Sequence, residues 1–175
     1  MAIREIRTYP DHILREKAKQ VTEFNEELKQ LARDMAETMY AAPGVGLAAN
    51  QVGVAKRLIV VDVRDPEDKE KGTGLFQLAN PEVVEGEGEF VMEEGCLSVP
   101  DEREEVERFN KIKLTAQDLD GNFLEIEAEG LLAVVFQHET DHLNGILFID
   151  HLSPLKRAAI RKRLRKQKAE KAASG

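Results

Sequence analysis

Residues 131–142 read Leu-Leu-Ala-Val-Val-Phe-Gln-His-Glu-Thr-Asp-His. Their apolar positions recur at helical spacing, which predicts a buried helix. His138 and His142 are four residues apart, so a helix places both imidazoles on one face, within reach of one metal ion. Glu139 would then point toward water on that metal, a pattern typical of metal-dependent hydrolysis.

A chance origin of this pattern is the alternative interpretation. An otherwise apolar helix would then bury two histidines and a glutamate without partners, which costs free energy of desolvation. The metal-binding interpretation is therefore favoured.

The third ligand decides what kind of metal site is present, because catalytic sites of this type usually have three protein ligands and one open position. Phe148 stands where the long zinc-protease signature has its third histidine. A late glutamate would have to be Glu170, which lies in a basic tail. His151 is a second candidate. Cys96 fits better, because its thiolate is a strong, soft ligand for zinc or iron.

The surrounding patterns predict an α+β fold with antiparallel sheets packed around the central metal-binding helix. Apolar spacing predicts a first helix from Asn25 to Tyr40, and Ser153-Pro154 predicts the start of a basic C-terminal helix, residues 154–175. β-Branched and alternating residues predict strands at 57–64, 81–92, 111–117 and 123–128, with Asp120-Gly121 as a hairpin turn. Strands that follow one another without intervening helices favour antiparallel pairing.

Length and composition limit the class of protein. The 175 residues, 42% of them hydrophobic, are expected to form one domain over 1–175. No apolar run approaches the roughly 20 residues of a membrane span. The N-terminus is charged where a secretory signal would be apolar, and the single cysteine forms no internal disulfide. We therefore expect a cytoplasmic protein.

The net charge of −8 conceals two opposite regions. Residues 1–152 contain 16 Lys or Arg and 32 Asp or Glu, whereas residues 153–175 contain nine and one. The acidic body is therefore not expected to bind nucleic acids in general, since phosphate contacts need clustered cations. Any polyanionic partner is expected at the C-terminal helix.

A second unusual segment is Gly44-Val45-Gly46-Leu47-Ala48-Ala49-Asn50-Gln51. Its glycines allow the backbone to approach a ligand closely, and Gln51 offers an amide donor for a developing oxyanion. A helix end followed by a turn is the simpler explanation of the segment taken alone. It is not a dinucleotide-binding fingerprint, because the third glycine is missing.

Together with Glu94-Gly95-Cys96-Leu97-Ser98, these two segments resemble the peptide deformylase family in order and spacing, and the likeness extends from Ile3-Arg4 to Leu152–Lys156. Such enzymes remove formate from the N-formylmethionine of nascent bacterial and organellar proteins. The resemblance implies a divalent metal held by Cys96, His138 and His142. It favours Fe(II), with nickel and cobalt also active and zinc poorer.

The resemblance also implies the remaining roles. Glu139 would be the general acid/base, and the Gln51 side chain and Leu97 N–H would stabilise the oxyanion, with Gly95 keeping that N–H accessible. The substrate backbone is expected to pair like an added strand beside Gly44, Val45 and Gly46. The expected methionine pocket consists of Val45, Met92, Leu131, Val134, Val135 and the stem of Glu94.

Two further expectations concern charged residues. Arg103 matches the family arginine near the substrate backbone and its carboxylate end, although a solvated ion pair among neighbouring glutamates would also explain it. By the same resemblance, the basic helix is expected to contact the ribosome.

Two other functional classes stay open on sequence grounds. A metallopeptidase would use the same helix to cleave internal peptide bonds, but would need a different third ligand and a long cleft. A non-catalytic metal-binding protein would not need Glu139.

Overall fold

The computed structural model describes residues 2–64 and 72–174, with side chains as far as residue 170. Within these ranges the helices are α1 (Glu26–Ala41), α2 (Leu131–Leu143) and α3 (Pro154–Ser174). The strands are β1 (Gly46–Ala48), β2 (Leu58–Val61), β3 (Phe76–Glu87), β4 (Phe90–Cys96), β5 (Val99–Arg108), β6 (Lys111–Gln117) and β7 (Phe123–Glu129). Short 3₁₀ turns lie at His12–Arg15, Ala49–Val52 and Phe148–His151.

The strands form two antiparallel sheets. Five strands pair in the order β1-β2-β3-β6-β7, and β4 pairs only with β5. The helices flank these sheets without β-α alternation, so the predicted α+β class is confirmed.

Strand β2 shows how the sheet is covered on both faces. Its residues Leu58 and Val60 pack with α1, whereas Ile59 and Val61 pack with α2. A strand buried on both faces requires apolar residues throughout, and β2 reads Leu-Ile-Val-Val. The opposite side of α2 faces the β4–β5 hairpin, so α2 is the central helix that the sequence predicts.

The helix starts follow the predicted capping. The Asn25 side chain accepts a hydrogen bond from the Leu28 N–H at 3.0 Å, and the first turn of α1 is acidic. Ser153 Oγ accepts from the Lys156 N–H at 3.3 Å, one residue before Pro154 begins α3. Gly175, the last residue of the predicted C-terminal helix, lies outside the described residues.

The single strand predicted at 81–92 is wrong. Gly88 has a φ of 72°, which ends β3 and sends the chain into β4 of the other sheet. The sequence pattern does not predict β5 either, because seven of its ten residues are charged and resemble a solvated loop.

Within the described ranges, no helix has the length and apolarity needed to cross a membrane.

Candidate metal centre

Three potential metal ligands converge from two elements. His138 and His142 lie on α2, and Cys96 ends β4 just before the hairpin turn into β5. The His142 Nε2 atom lies 3.3 Å from Cys96 Sγ and 3.1 Å from His138 Nε2. All three donor atoms lie within 4.8 Å of one another, and no other His/Cys/Asp/Glu group in the described residues converges in this way.

The residues present fit a transition metal. His138 Nδ1 lies 2.9 Å from the Glu94 carboxylate, so this nitrogen carries the proton and Nε2 presents its lone pair to the shared centre. A thiolate with two imidazoles is a donor set suited to zinc or iron. His151 is excluded as the third ligand, because it lies outside the group and its Nε2 contacts Asp141 at 2.9 Å.

A buried ion pair holds Glu94 against His138. Arg108 Nε and Nη2 each donate to Glu94 at 2.9 Å, and both side chains are only 4% exposed. Burial alone would raise the pKa of Glu94, but hydrogen bonds from His138 and Arg108 outweigh it and lower the pKa to about 2. The anionic carboxylate therefore orients the His138 ring. Arg108 also bonds Asp141 at 2.6 Å.

Glu139 lies beside the ligands but is not one of the converging donors. It is 5% exposed, and its Oε1 has no hydrogen-bond partner among the described residues. Burial, only partly opposed by the charges of His138 and Arg108, raises its pKa to about 7. A Cβ at Gly46 would stand 2.6 Å from Glu139 Oε2, so this close approach requires glycine there.

The Gln51 amide is held with its N–H groups toward the cysteine. Its Oε1 accepts from the Ala48 N–H at 2.9 Å, which directs Nε2 toward Ser98 Oγ at 3.1 Å and Cys96 Sγ at 3.6 Å. The side chain is buried. An amide so fixed is a preorganised donor at the edge of the ligand cluster.

A cavity of about 500 Å³ opens onto this cluster. It is bounded by residues 43–46, by the β4–β5 hairpin and by α2. Its lining includes every residue that the sequence predicts for the site except His142, which is fully buried behind Cys96 and His138. These lining residues are Gly44, Val45, Gly46, Gln51, Met92, Glu94, Gly95, Cys96, Leu97, Arg103, Leu131, Val134, Val135, His138 and Glu139.

Two charged residues of this list already have partners within the protein. Arg103 lies at the rim and pairs with Glu93 at 3.0 Å, with both side chains more than half exposed. The stem of Glu94 lines the cavity, whereas its carboxylate is occupied by His138 and Arg108. The role of Arg108 is not predicted from the sequence, because nothing in the charged run 101–108 distinguishes it from a surface residue.

Comparison with known proteins gives a consistent result. A model of the polypeptide deformylase family matches residues 3–158. A peptide deformylase of Acidobacterium capsulatum is 50% identical over 166 residues, covering 95% of this chain and 96% of the relative. The crystal structure of a Legionella pneumophila peptide deformylase superposes with a TM-score of 0.86 at 49% identity, covering 98% of each chain. One from Ehrlichia chaffeensis gives 0.91 at 35% identity, covering 98% of this chain and 99% of the other.

Proposed function

The chain belongs to the polypeptide deformylase family, and from that premise we propose how it removes the formyl group from the N-terminal formylmethionine of nascent proteins. The observation that carries the proposal is the convergence of Cys96, His138 and His142 at the inner end of a cavity that Glu139 also lines. The reaction is hydrolysis: water adds to the formyl carbon, the C–N bond breaks, and formate leaves a free amine.

Cys96, His138 and His142 would hold one divalent ion. Such an ion supplies Lewis acidity, which makes water nucleophilic near neutral pH and polarises the carbonyl under attack. We propose Fe(II) as the physiological metal, on the donor set and the resemblance, with zinc, nickel and cobalt also able to bind. Metal analysis of protein purified anaerobically, with activity measured on each metal form, tests this. A zinc form more active than the iron form would contradict it.

Glu139 is proposed to carry the proton. Its carboxylate lies next to the ligands without joining them, and one oxygen has no partner in the described part of the chain. It would accept a proton from the attacking water and deliver it to the leaving nitrogen as the C–N bond breaks.

Gln51 and Leu97 are proposed to stabilise the oxyanion formed on the formyl oxygen. The support for Gln51 is its fixed amide, whose Nε2 faces the ligand cluster. Leu97 follows Cys96 in the hairpin turn, and its backbone N–H is assigned by the resemblance, with Gly95 leaving the approach open.

The peptide is proposed to bind as an added strand beside Gly44, Val45 and Gly46. Strand β1 is the terminal strand of the five-stranded sheet. No strand in the described residues pairs with its other edge, and Gly46 on β1 lines the cavity. The methionine side chain would enter between Val45, Met92, Leu131, Val134, Val135 and the stem of Glu94. Arg103 at the rim would meet the outer part of the peptide.

The basic helix α3 is proposed to bind ribosomal RNA phosphates. Ile160 and Leu164 are buried against β5 and the Phe148–His151 turn, and Arg163 pairs with Glu102 at 2.6 Å. Packing therefore uses only part of the helix, and Leu155 in its first turn is 83% exposed. Beyond Leu164, three cations are exposed among the residues whose side chains are described: Arg165, Lys166 and Lys168.

Truncation tests this contact. Deleting residues 165–175 removes exposed cations but none of the cavity lining. We expect weaker co-sedimentation with ribosomes at low salt and unchanged hydrolysis of a formyl-Met dipeptide. Equal ribosome binding by both forms would refute the contact, and lost dipeptide activity would show that the tail supports the fold.

We further propose that residues 1–175 act as one domain in the cytoplasm, where formylated chains are synthesised. The family match over residues 3–158 supports the first point.

The central test is formate release from a formyl-Met dipeptide by anaerobically purified protein. We expect formate in proportion to bound metal and no cleavage of the unformylated dipeptide. Cleavage of internal bonds in unformylated peptides would instead indicate a metallopeptidase.

A further inference from the structure

Behind strand β1 lies a cluster of three polar side chains that the proposed chemistry does not use. Tyr40 lies in the last turn of α1, and Asp62 and Arg64 follow β2. Arg64 Nη2 donates to the Gly44 carbonyl at 2.7 Å, and its guanidinium lies over the Tyr40 ring, 4.8 Å from the centroid. The Tyr40 hydroxyl donates in turn to Asp62 at 2.5 Å.

The cluster fixes the backbone that borders the cavity. Gly44 lines the cavity, and the Asp62 N–H donates to the neighbouring Val45 carbonyl at 2.9 Å. Two successive carbonyls of the proposed peptide-binding segment are thus held from Asp62 and Arg64. The face of the Tyr40 ring in turn holds the Arg64 guanidinium.

Gly44 lies just before β1, on the more exposed side of Gly46: Val45 is 40% exposed, whereas Gly46 is buried. Gly46 is the residue in contact with Glu139, and Gly44 precedes it by two residues. A substrate whose formyl group lies near Glu139 must leave the cavity on its exposed side, so its chain runs toward Val45 and Gly44. A substrate strand would place the residues after methionine, rather than the formyl group, beside it.

The contacts of Arg64 depend on the shape of its side chain. Only the planar guanidinium can stack on an aromatic ring while a second donor reaches a carbonyl, so lysine reproduces half of the arrangement.

We infer that Arg64 is a positioning residue, which sets the Gly44 peptide so that substrate residues after formylmethionine can pair with this segment. The inference rests on the proposed function and adds a determinant of affinity for longer peptides. Its signature is a KM effect that depends on substrate length.

The experiment compares Arg64→Met and Arg64→Lys with wild-type protein, on formyl-methionine amide and on a formyl-methionyl tetrapeptide. Arg33→Met is the matched control, because Arg33 is exposed on α1 and bonds only to Gln30 among the described residues. Circular dichroism and thermal unfolding establish that each variant is folded.

For Arg64→Met we expect the tetrapeptide KM to rise about tenfold with kcat within about twofold of wild type, and the KM for the amide to change by less than about twofold. Arg64→Lys should lie between Arg64→Met and wild type, and Arg33→Met should match wild type. If Arg64→Met does not fold, the test is whether Arg64→Lys raises the KM for the tetrapeptide more than the KM for the amide.

Three results would overturn the inference while the wild type is active. They are an equal KM rise on both substrates, an unchanged or lower KM for the tetrapeptide, and a lysine variant no better than methionine. Wild-type protein that releases no formate from either substrate would refute the proposed function itself, and the inference with it.

Discussion

The β4–β5 hairpin carries two arginine–glutamate pairs of nearly identical chemistry in opposite environments. The side chains of Arg108 and Glu94 are each 4% exposed and are joined by two hydrogen bonds of 2.9 Å. The Glu94 carboxylate also bonds His138. Arg103 and Glu93, with side chains 64% and 60% exposed, are joined at 3.0 Å. Exposed pairs contribute about 0–1 kcal/mol, whereas removing one partner of a buried pair costs about 3–5 kcal/mol.

The difference shows that one hairpin can hold a buried pair that supports the metal site and an exposed pair that is available to a bound peptide. The inner pair, Arg108 with Glu94, is buried and fixes the ring of His138, one of the proposed metal ligands. The outer pair is weak enough to be broken, so Arg103 is free to exchange Glu93 for an acceptor on a bound peptide. Four predictions test this division, from the largest expected effect to the smallest.

Glu139→Gln removes the proposed proton carrier and leaves both arginine–glutamate pairs intact. We expect turnover to fall by at least about 10²–10⁴-fold, since the proton carrier is gone, while the metal stays bound. Formate release and metal content measured on one sample check this. Loss of metal together with activity would show that Glu139 is a ligand.

Breaking the inner pair should affect both the fold and the metal. In Arg108→Met, the charge of Glu94 stays buried with His138 as its remaining partner at 2.9 Å. We expect a loss of about 3–5 kcal/mol in the free energy of unfolding. Metal affinity should fall about 10–100-fold, because His138 loses its fixed orientation.

Denaturant unfolding and metal titration measure these two effects. Glu93→Gln is the matched control, and it should change neither quantity. An Arg108→Met protein as stable and as tightly metal-binding as wild type would erase the distinction between the pairs.

Breaking the outer pair should change recognition alone. We expect Arg103→Met to raise the KM for formylated peptides a few-fold, with unfolding free energy within about 0.5 kcal/mol of wild type. Peptide kinetics and chemical denaturation check this. A large loss of stability would place Arg103 with the inner pair.

A third pair, Arg4 with Asp34 at 3.0 Å, lies outside the cavity lining. It tests whether an ion pair that stabilises the fold also affects turnover. Burial by itself raises the pKa of Asp34, but bonds from the Ala2 N–H, Gln30 and Arg4 outweigh it and hold the pKa below its ordinary value. The lowered pKa means that this stabilisation is present above about pH 4 and is lost as the pH falls through the folded-state value.

Arg4→Met should therefore lower the free energy of unfolding by about 1–2 kcal/mol at pH 7, with a smaller difference from wild type near pH 3. Urea unfolding at the two pH values measures this. Peptide turnover should be unchanged, since Arg4 and Asp34 lie outside the cavity lining. Reduced turnover at full stability would contradict the separation.

The parts of the site that the sequence predicts are those with a local signal. The spacing of His138 and His142 is a helix property, and the two glycines around Val45 mark a close approach that Gly46 and Glu139 make in the structure. Arg108 and Arg64 have no such signal. Their roles arise from residues distant in the chain, Glu94 in one case and Tyr40 with Gly44 in the other.

The lack of a local signal also explains which strands were predicted wrongly or not at all. Strand periodicity predicts β6 and β7, where charged and apolar residues alternate. It fails at 81–92, because valine and glutamate continue in similar proportions through the turn at Gly88. It also fails for β5, whose buried charges Glu102 and Arg108 are paired only by the tertiary fold.

The placement of the three converging donors on two elements, β4 and α2, also governs how the protein matures. Cys96 and His138 are far apart in the chain and meet only when the hairpin packs against α2, so an unfolded chain offers no preformed site. An ion that binds the folded state alone stabilises it by about 4 kcal/mol when its free concentration is about 1,000 times the dissociation constant. A molecule that loses its ion would then become easier to unfold and to degrade, so that metal supply would control the abundance of the enzyme together with its turnover.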